Sequence, residues 1–333
     1  YVATVPGNPP LFVLNTKQKT LALAAFVDVT VPLTEKLSLA AGIRYSDESR
    51  KFEFARAPEL GTFPNGKLPK ATFSSWTPRA VLSYKPVDDV MVYASYSKGF
   101  KSGGYVSSSP TNPIYKPEKI TAYEIGSKMT LGRGAIFNVA GFYYDYSDLQ
   151  VSSLVPGVGT AIVTNATSAR MKGLDADLAV RVTSGLTLRA GLAYNDAKYK
   201  SWEQASILVP RVAGSPGAGN QGCVDNSGTG GVNECDASGN RVARAPKFTF
   251  NFGGAYTHEF SGGYKLTASG NFYHNSGYTW EPSGRLRQGA YDTLSARLEL
   301  GLPGDNVSFA LWGKNLTNER YFINLAPNGS GDR

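Results

Sequence analysis

The chain is written in period two. Leu37, Leu39, Ala41, Ile43 and Tyr45 alternate with Ser38, Ala40, Gly42, Arg44 and Ser46. Leu186, Leu188, Ala190, Leu192 and Tyr194 alternate with Thr187, Arg189, Gly191, Ala193 and Asn195. The same alternation runs through 174–182, 248–256 and 266–272. Successive side chains of a strand point to opposite faces, so each run has one apolar and one polar face, and helical spacing explains none of them. Twelve strands are expected, near 20–31, 37–56, 74–87, 90–101, 117–131, 135–150, 169–183, 186–200, 245–260, 264–280, 290–302 and 307–320. The first run is the least clean, because Phe26 and Asp28 share one parity.

The connections restrict the architecture further. Pro32–Lys36, Val87–Asp89, Gly132–Gly134, Ser184–Gly185, Ser261–Gly263 and Pro303–Asn306 are tight turns of Gly, Pro, Asp and Asn. Between them lie the longer Ala57–Phe73, Ser102–Lys116, Val151–Ser168, Ser201–Arg244 and Glu281–Gly289. Short and long alternate strictly, so an antiparallel meander puts every tight turn at one end and every long loop at the other. A soluble sandwich has no reason for that asymmetry, and a propeller would repeat every four strands. Outer-membrane barrels have short turns on one side and long loops on the other, an apolar outer face and a polar lumen. In hydrocarbon every backbone polar group must be paired, which a closed barrel achieves. Aromatic girdles are expected from Tyr84, Tyr93 and Tyr96, and from Phe142, Tyr143, Tyr144 and Tyr146.

Composition removes other classes. No stretch approaches 18 consecutive apolar residues, so no transmembrane helix is expected. Charged residues make up 18%, against a usual share of about 25%. The 37 Gly and 19 Tyr suit turns and strands. Two Cys and two His leave little for a disulfide scaffold or a zinc site. The net charge of +8 is scattered singly along strand-like segments, which argues against nucleic acid. The start, Tyr1-Val2-Ala3-Thr4, has no Met and no signal peptide, so a processed chain or a piece of a longer one is expected.

Several motifs occur in order along 37–321. They are Ser75-Trp76-Thr77-Pro78-Arg79 with Leu82-Ser83-Tyr84-Lys85-Pro86, and Val92-Tyr93-Ala94-Ser95-Tyr96-Ser97-Lys98-Gly99-Phe100-Lys101-Ser102-Gly103-Gly104-Tyr105. Tyr115-Lys116-Pro117-Glu118, Tyr123-Glu124-Ile125-Gly126-Ser127-Lys128, Phe142-Tyr143-Tyr144-Asp145-Tyr146-Ser147-Asp148-Leu149-Gln150 and Lys172-Gly173-Leu174-Asp175 follow. Lys314-Asn315-Leu316-Thr317-Asn318-Glu319-Arg320-Tyr321 comes last, with Asn318 where Asp is common. Together they resemble the barrel of TonB-dependent outer-membrane receptors. The resemblance implies an all-β fold: an antiparallel meander of about twelve strands, part of a 22-stranded transmembrane β-barrel. It implies that residues 1–333 are one partial barrel domain, strands ten to twenty-one, with the plug domain and the last strand outside this chain. It implies energy-coupled uptake of a scarce nutrient, most often a ferric siderophore. The implied partners are TonB, the plug, and outer-membrane lipid with lipopolysaccharide. A passive porin-type channel is the alternative.

Site residues follow from chemistry suited to anionic, flat ligands. Arg pairs suit anions, and Tyr or Trp offers stacking area with a polar handle. Arg285 and Arg287 with Trp280 share one long loop, Arg211 and Trp202 another; Tyr105 and Tyr115 bracket a third, and Arg56 stands near a fourth. Binding of lipopolysaccharide, or plain solvation, is the alternative role for an exposed Arg. Cys223 and Cys235 lie in the longest loop, which would face an oxidising exterior. A disulfide is expected there, with a metal pair or free thiols as alternatives. Asp225, Ser227, Thr229, Gly230 and Asp236 match an EF-hand-like spacing, but carboxylates are too few and no helices flank them. Inward charges are expected at Arg44, Arg79, Glu124, Lys128, Asp175, Asp177, Arg181, Arg189, Arg297 and Glu299. His274 and Ser276 share a strand face without an acidic or oxyanion partner, so no enzyme and no cofactor are expected.

Overall fold

The computed structural model describes residues 2–3, 12–56, 66–106, 114–132, 134–154, 161–203, 205–208, 223–224, 232–304 and 306–325. Twelve antiparallel strands form one sheet: β1 (Phe12–Pro32), β2 (Leu37–Arg56), β3 (Ala71–Val87), β4 (Val90–Lys101), β5 (Glu118–Leu131), β6 (Ala135–Leu154), β7 (Ala161–Arg181), β8 (Leu186–Ser201), β9 (Phe248–Glu259), β10 (Lys265–Asn275), β11 (Tyr291–Gly301) and β12 (Ser308–Gly313). Each pairs only with its neighbours in this order, and two-residue pieces extend the sheet at β1 and β2. The described residues contain no helix.

Two expected runs end early. The run at 264–280 stops at Asn275, because Gly277 takes φ 82° and the chain turns into a separate hairpin. The run at 307–320 stops at Gly313. Beyond it Asn315 and Asn318 both take φ 52°. The Asn315 amide also ties the turn, donating to the Glu319 carbonyl at 3.0 Å and accepting its N–H at 2.9 Å. Such local side-chain bonds stabilise a turn over a ladder.

Directly opposed residues share a face, so the registers carry face identity across the sheet. One row runs Val31, Leu39, Leu82, Ala94, Ile125, Gly141, Leu174, Tyr194, Phe248, across nine strands without a charge. It starts beside a tight turn and ends at the long-loop end, the stagger that tilted barrel strands require. Tyr84, Tyr96 and Tyr143 lie on this apolar face, as expected. Tyr96, Tyr123 and Tyr143 form a lateral ladder there, with ring centroids 5.4 and 6.4 Å apart. Tyr93, Phe142, Tyr144 and Tyr146 lie on the polar face instead, because strand alternation cannot send neighbours the same way. Leu186, Leu188 and Leu192 are half-buried among neighbouring side chains of the apolar face and belong to no closed core.

Among the described residues, the two hydrophobic cores lie at the long-loop end. Ala169, Ala197 and Tyr199 present the polar face of the wall to Trp202, Ala205, Ile207, Cys235 and Ala237. These loop residues belong to, or flank, a small sheet of Ala205–Leu208, Val232–Cys235 and Cys223–Val224. A second core joins Phe52, Ala71, Phe73 and Tyr105. Both cores fold the loops over the polar face of the sheet.

Candidate functional site

The polar wall carries ion pairs and charge-assisted hydrogen bonds. Asp28 and Arg79 form a bidentate pair, at 2.5 and 2.7 Å, across the intervening strand at Gly42. A Cβ at Gly42 would collide with the Asp28 carboxylate, so glycine leaves the passage open. Glu124 accepts hydrogen bonds from the Tyr93 hydroxyl at 2.6 Å and the Tyr144 hydroxyl at 3.4 Å. The Asn138 amide donates to Asp177 at 2.9 Å, and Arg297 donates to Glu299 at 2.6 and 3.0 Å. The registers place all ten expected inward charges on this face. Exposed pairs of this kind add little stability; their effect is to fix side-chain positions.

Above the wall, the loop residues divide by burial. Tyr105 is 7% exposed; it stacks on Phe52 at 5.3 Å, and its hydroxyl donates to the carbonyls of Arg50 and Pro69. Tyr115 lies directly opposite Gly104, which has no Cβ to clash with its ring. Trp202 packs edge-on against Tyr199 at 4.9 Å, and its backbone N–H donates to the Ser238 hydroxyl at 2.9 Å. The faces of Tyr105 and Trp202 are therefore occupied by their own cores. Arg211 lies outside the described residues, as do Asp225, Ser227, Thr229 and Gly230. Arg56 ends β2, and its side chain is likewise outside the description.

The hairpin after β10 is the most organised loop. Tyr278–Thr279 pairs with Arg287–Gln288. Trp280, 7% exposed, takes Tyr278 on its edge at 5.2 Å and the Arg244 guanidinium over its ring at 5.0 Å. Glu281 is buried, and its carboxylate accepts the N–H groups of Ser283 (2.7 Å), Arg285 (2.8 Å) and Leu286 (3.1 Å) and the Ser283 hydroxyl (2.6 Å). That donor set satisfies a buried carboxylate. Burial pulls the Arg285 pKa below its ordinary value, and the Glu281 charge opposes the shift. Arg285, Arg287 and Trp280 thus share one hairpin, as their spacing suggested; Arg287 is exposed and, with Tyr278 and Thr279, lines a cavity of about 560 Å³. The sequence reading missed Arg244, which gave no local signal, and Glu281, which the turn sequence Glu281-Pro282-Ser283-Gly284 could have revealed.

Cys223 and Cys235 are directly opposed in the loop sheet, and Cys235 is disulfide-bonded and 2% exposed. Asp236 is exposed; the hydroxyl and backbone N–H of Ser238 hold its carboxyl below the ordinary value. Among the described residues, no three His, Cys, Asp or Glu side chains converge to hold a metal ion. No described helix is long and apolar enough to cross a membrane, which does not bear on strands.

This staggered, two-faced meander has known counterparts. Residues 1–316 match the family model described as TonB dependent receptor-like, beta-barrel. The chain belongs to this family. The pesticin receptor of Yersinia enterocolitica is 27% identical over 166 residues, 49% of this chain and 24% of that protein. The ferric yersiniabactin uptake receptor FyuA from Yersinia pestis superposes with a TM-score of 0.77 at 19% identity, covering 97% of this chain and 44% of that one. BauA, the ferric preacinetobactin receptor from Acinetobacter baumannii, gives 0.64 at 20% identity, covering 96% and 42%. At these identities the likeness to the solved structures is one of fold. The matched region covers about a quarter of the curated relative, and the superposed chain less than half of each solved receptor. The family and these neighbours are transport receptors, and the family's barrels are outer-membrane proteins.

Proposed function

We propose that the chain forms part of the barrel of an outer-membrane receptor that imports a ferric siderophore with energy delivered by TonB. The observation that carries this reading is the two-faced wall: nine strands share a row without charge, while the opposite face carries a paired polar network. Lipid against the first face and a plug domain, supplied by the rest of the receptor, against the second account for both. The family and the printed titles of the neighbouring receptors support the siderophore class. The barrel carries out no reaction in this reading. Ligand would be received where the loops fold over the polar face. Tyr115, Arg285, Arg287, Arg56 and Arg211 are candidate contacts; Tyr105, Trp202 and Trp280 are packed into the loops' own cores. A disulfide between Cys223 and Cys235 would pin the longest loop.

The test is uptake of radioactive iron, presented as a panel of ferric siderophores, by cells whose only such receptor is the full-length protein. Uptake of at least one complex should require both the receptor and TonB. Equal uptake without TonB would overturn the reading in favour of a passive porin.

A further inference from the structure

The polar face of the sheet differs between its two halves. On β5–β7 it carries Glu124, Phe142, Tyr144, Asp175 and Asp177. The cavity there, about 460 Å³, has three carboxylates and one cation, Lys128, among its described lining residues. On β8–β11 the same face is stripped to small side chains. One lateral row runs Arg189, Gly253, Asn271, Ser295. The next runs Thr187, Ala255, Ser269, Arg297 and, on β12, Trp312. A Cβ at Gly191 would collide with the Asn251 amide, and one at Gly253 would press on the Asn271 amide. Each glycine thus lets the neighbouring strand's amide lie across it, flat on the wall.

These rows floor a cavity of about 760 Å³, within the size range of small-ligand sites. Its cations stand at the two ends: Arg189 on β8, Arg297 on β11 and Lys314 just past β12. Arg189 and Arg297 are three strands apart, about 14 Å at roughly 4.8 Å per strand. Glu299 meets the Arg297 charge at 2.6 Å. Arg189 and Lys314 pair with no carboxylate among the described residues, and none of the described lining residues is acidic. Lys314 lies 5.8 Å over the ring of Trp312, which is exposed. The cavity is therefore cationic at its ends, and amide and hydroxyl groups line it between them.

We infer that this cavity is a second, lumenal site for the imported ligand, where an anionic, oxygen-rich iron chelate rests on the β8–β12 wall after leaving the loops. Arg189 and Lys314 receive its carboxylate or phenolate oxygens, as charge-assisted donors do. The amides of Asn251 and Asn271 and the hydroxyls of Ser269 and Ser295 bond its remaining oxygens. Trp312 offers it stacking area. The acidic half of the wall, at Glu124, Asp175 and Asp177, repels the same ligand and confines passage to one side of the lumen. The rival occupant is the plug domain of the rest of the receptor. The inference rests on the proposed uptake function and adds a place on the path that this function does not locate.

The test separates surface binding from transport in cells whose only iron receptor is the full-length protein. The probes are radioactive iron as its citrate and tricatecholate complexes, both anionic, and as a neutral trihydroxamate complex. Binding is read with the proton motive force collapsed, and transport with it restored. In the variant combining Arg189→Gln and Lys314→Gln, binding of an anionic complex should stay within about twofold of the parent while transport slows roughly tenfold or more, the loss expected for charge-assisted contacts. Arg189→Lys with Lys314→Arg keeps both charges and should restore transport. Ser295→Leu fills the floor without altering charge and should slow transport in the same direction. Lys128→Gln removes a cation from the other half of the wall and should leave both readings unchanged. Unchanged transport in the charge variant, import of the neutral complex alone, or equal slowing by Lys128→Gln overturns the inference. So does a loss of binding as large as the loss of transport. Entry of a large antibiotic that the outer membrane normally excludes would assign the two cations to holding the plug, and overturns it too. Parent transport that survives deletion of TonB refutes the receptor reading instead. TonB-dependent transport that the variants leave intact refutes only the lumenal site.

Discussion

A charge placed on the apolar face should cost what hydrocarbon charges. Tyr194 pairs with Phe248 at one end of the band, and Leu186 with Tyr256 at the other. The two rows are eight residues apart on β8, about 26 Å along the strand at 3.3 Å per residue. A tilt of about 40° leaves about 20 Å along the membrane normal, close to the apolar band of such barrels. Ala190, opposed to Phe252, stands at the midpoint. Alanine leaves no cavity when replaced, so Ala190→Arg isolates the cost of burying charge in lipid, about 2–4 kcal/mol at the midplane. Ala193 lies three residues away on the polar face, directly opposed to Asp175. Ala193→Arg gains a carboxylate neighbour and should stay within about 0.5 kcal/mol of the parent. The assay is urea-dependent folding of the full-length receptor into lipid vesicles, with the midpoint falling for Ala190→Arg at an unchanged slope. Equal effects of the two substitutions, or a harmless Ala190→Arg, would refute the face assignment.

Two further outcomes concern the loops. Cys223→Ser should release the loop sheet: closing a loop of this size is worth about 3 kcal/mol in the chain-entropy model, so amide exchange at Ala205–Leu208 and Val232–Cys235 should accelerate by roughly a hundredfold, and unchanged exchange would reject the pairing. The Asp236 carboxyl is held below its ordinary 3.8 by Ser238. Its contribution to the 236–239 turn is therefore present above that value and lost as pH falls through the lower folded one; the Ser238 amide should lose protection only in that acid window, and flat behaviour would remove the turn's dependence on the carboxylate.

The wall was legible because it obeys one rule. Alternation at Leu186–Tyr194 and the Gly, Pro and Asp turns fix faces and order without any long-range information. The rule also explains the misplaced girdle: Phe142, Tyr143, Tyr144 and Tyr146 read as one aromatic cluster, but alternation gives the apolar face Tyr143 alone. The ends of β10 and β12 were lost to single backbone conformations at Gly277 and Asn315. Loop residues were harder. Trp202 and Trp280 looked like ligand platforms because composition shows an aromatic in a loop but not what packs on it. Their burial depends on partners such as Tyr199 and Arg244 that no local pattern links to them. The cavity that Arg287 lines gathers Lys198, Arg241, Lys247 and Arg287 from three chain segments, which read singly along the sequence as scattered charge.

The ladder bears on how such a wall tolerates insertions and deletions over generations. Among the described residues its register shifts occur only at Ser168/Ala169, by the long-loop end, and at Tyr84/Val87, by a tight turn. Within the apolar band the register keeps its parity from strand to strand. A single codon gained or lost inside the band would turn the remainder of that strand inside out, setting Asp175 and Arg189 against lipid and Leu174 and Leu188 against the lumen. Gains in pairs would keep the faces and shift only the height of the girdle. At the loop end no such parity holds. Length differences among barrels of this kind should therefore accumulate at one rim in any number, while the wall changes by twos or not at all.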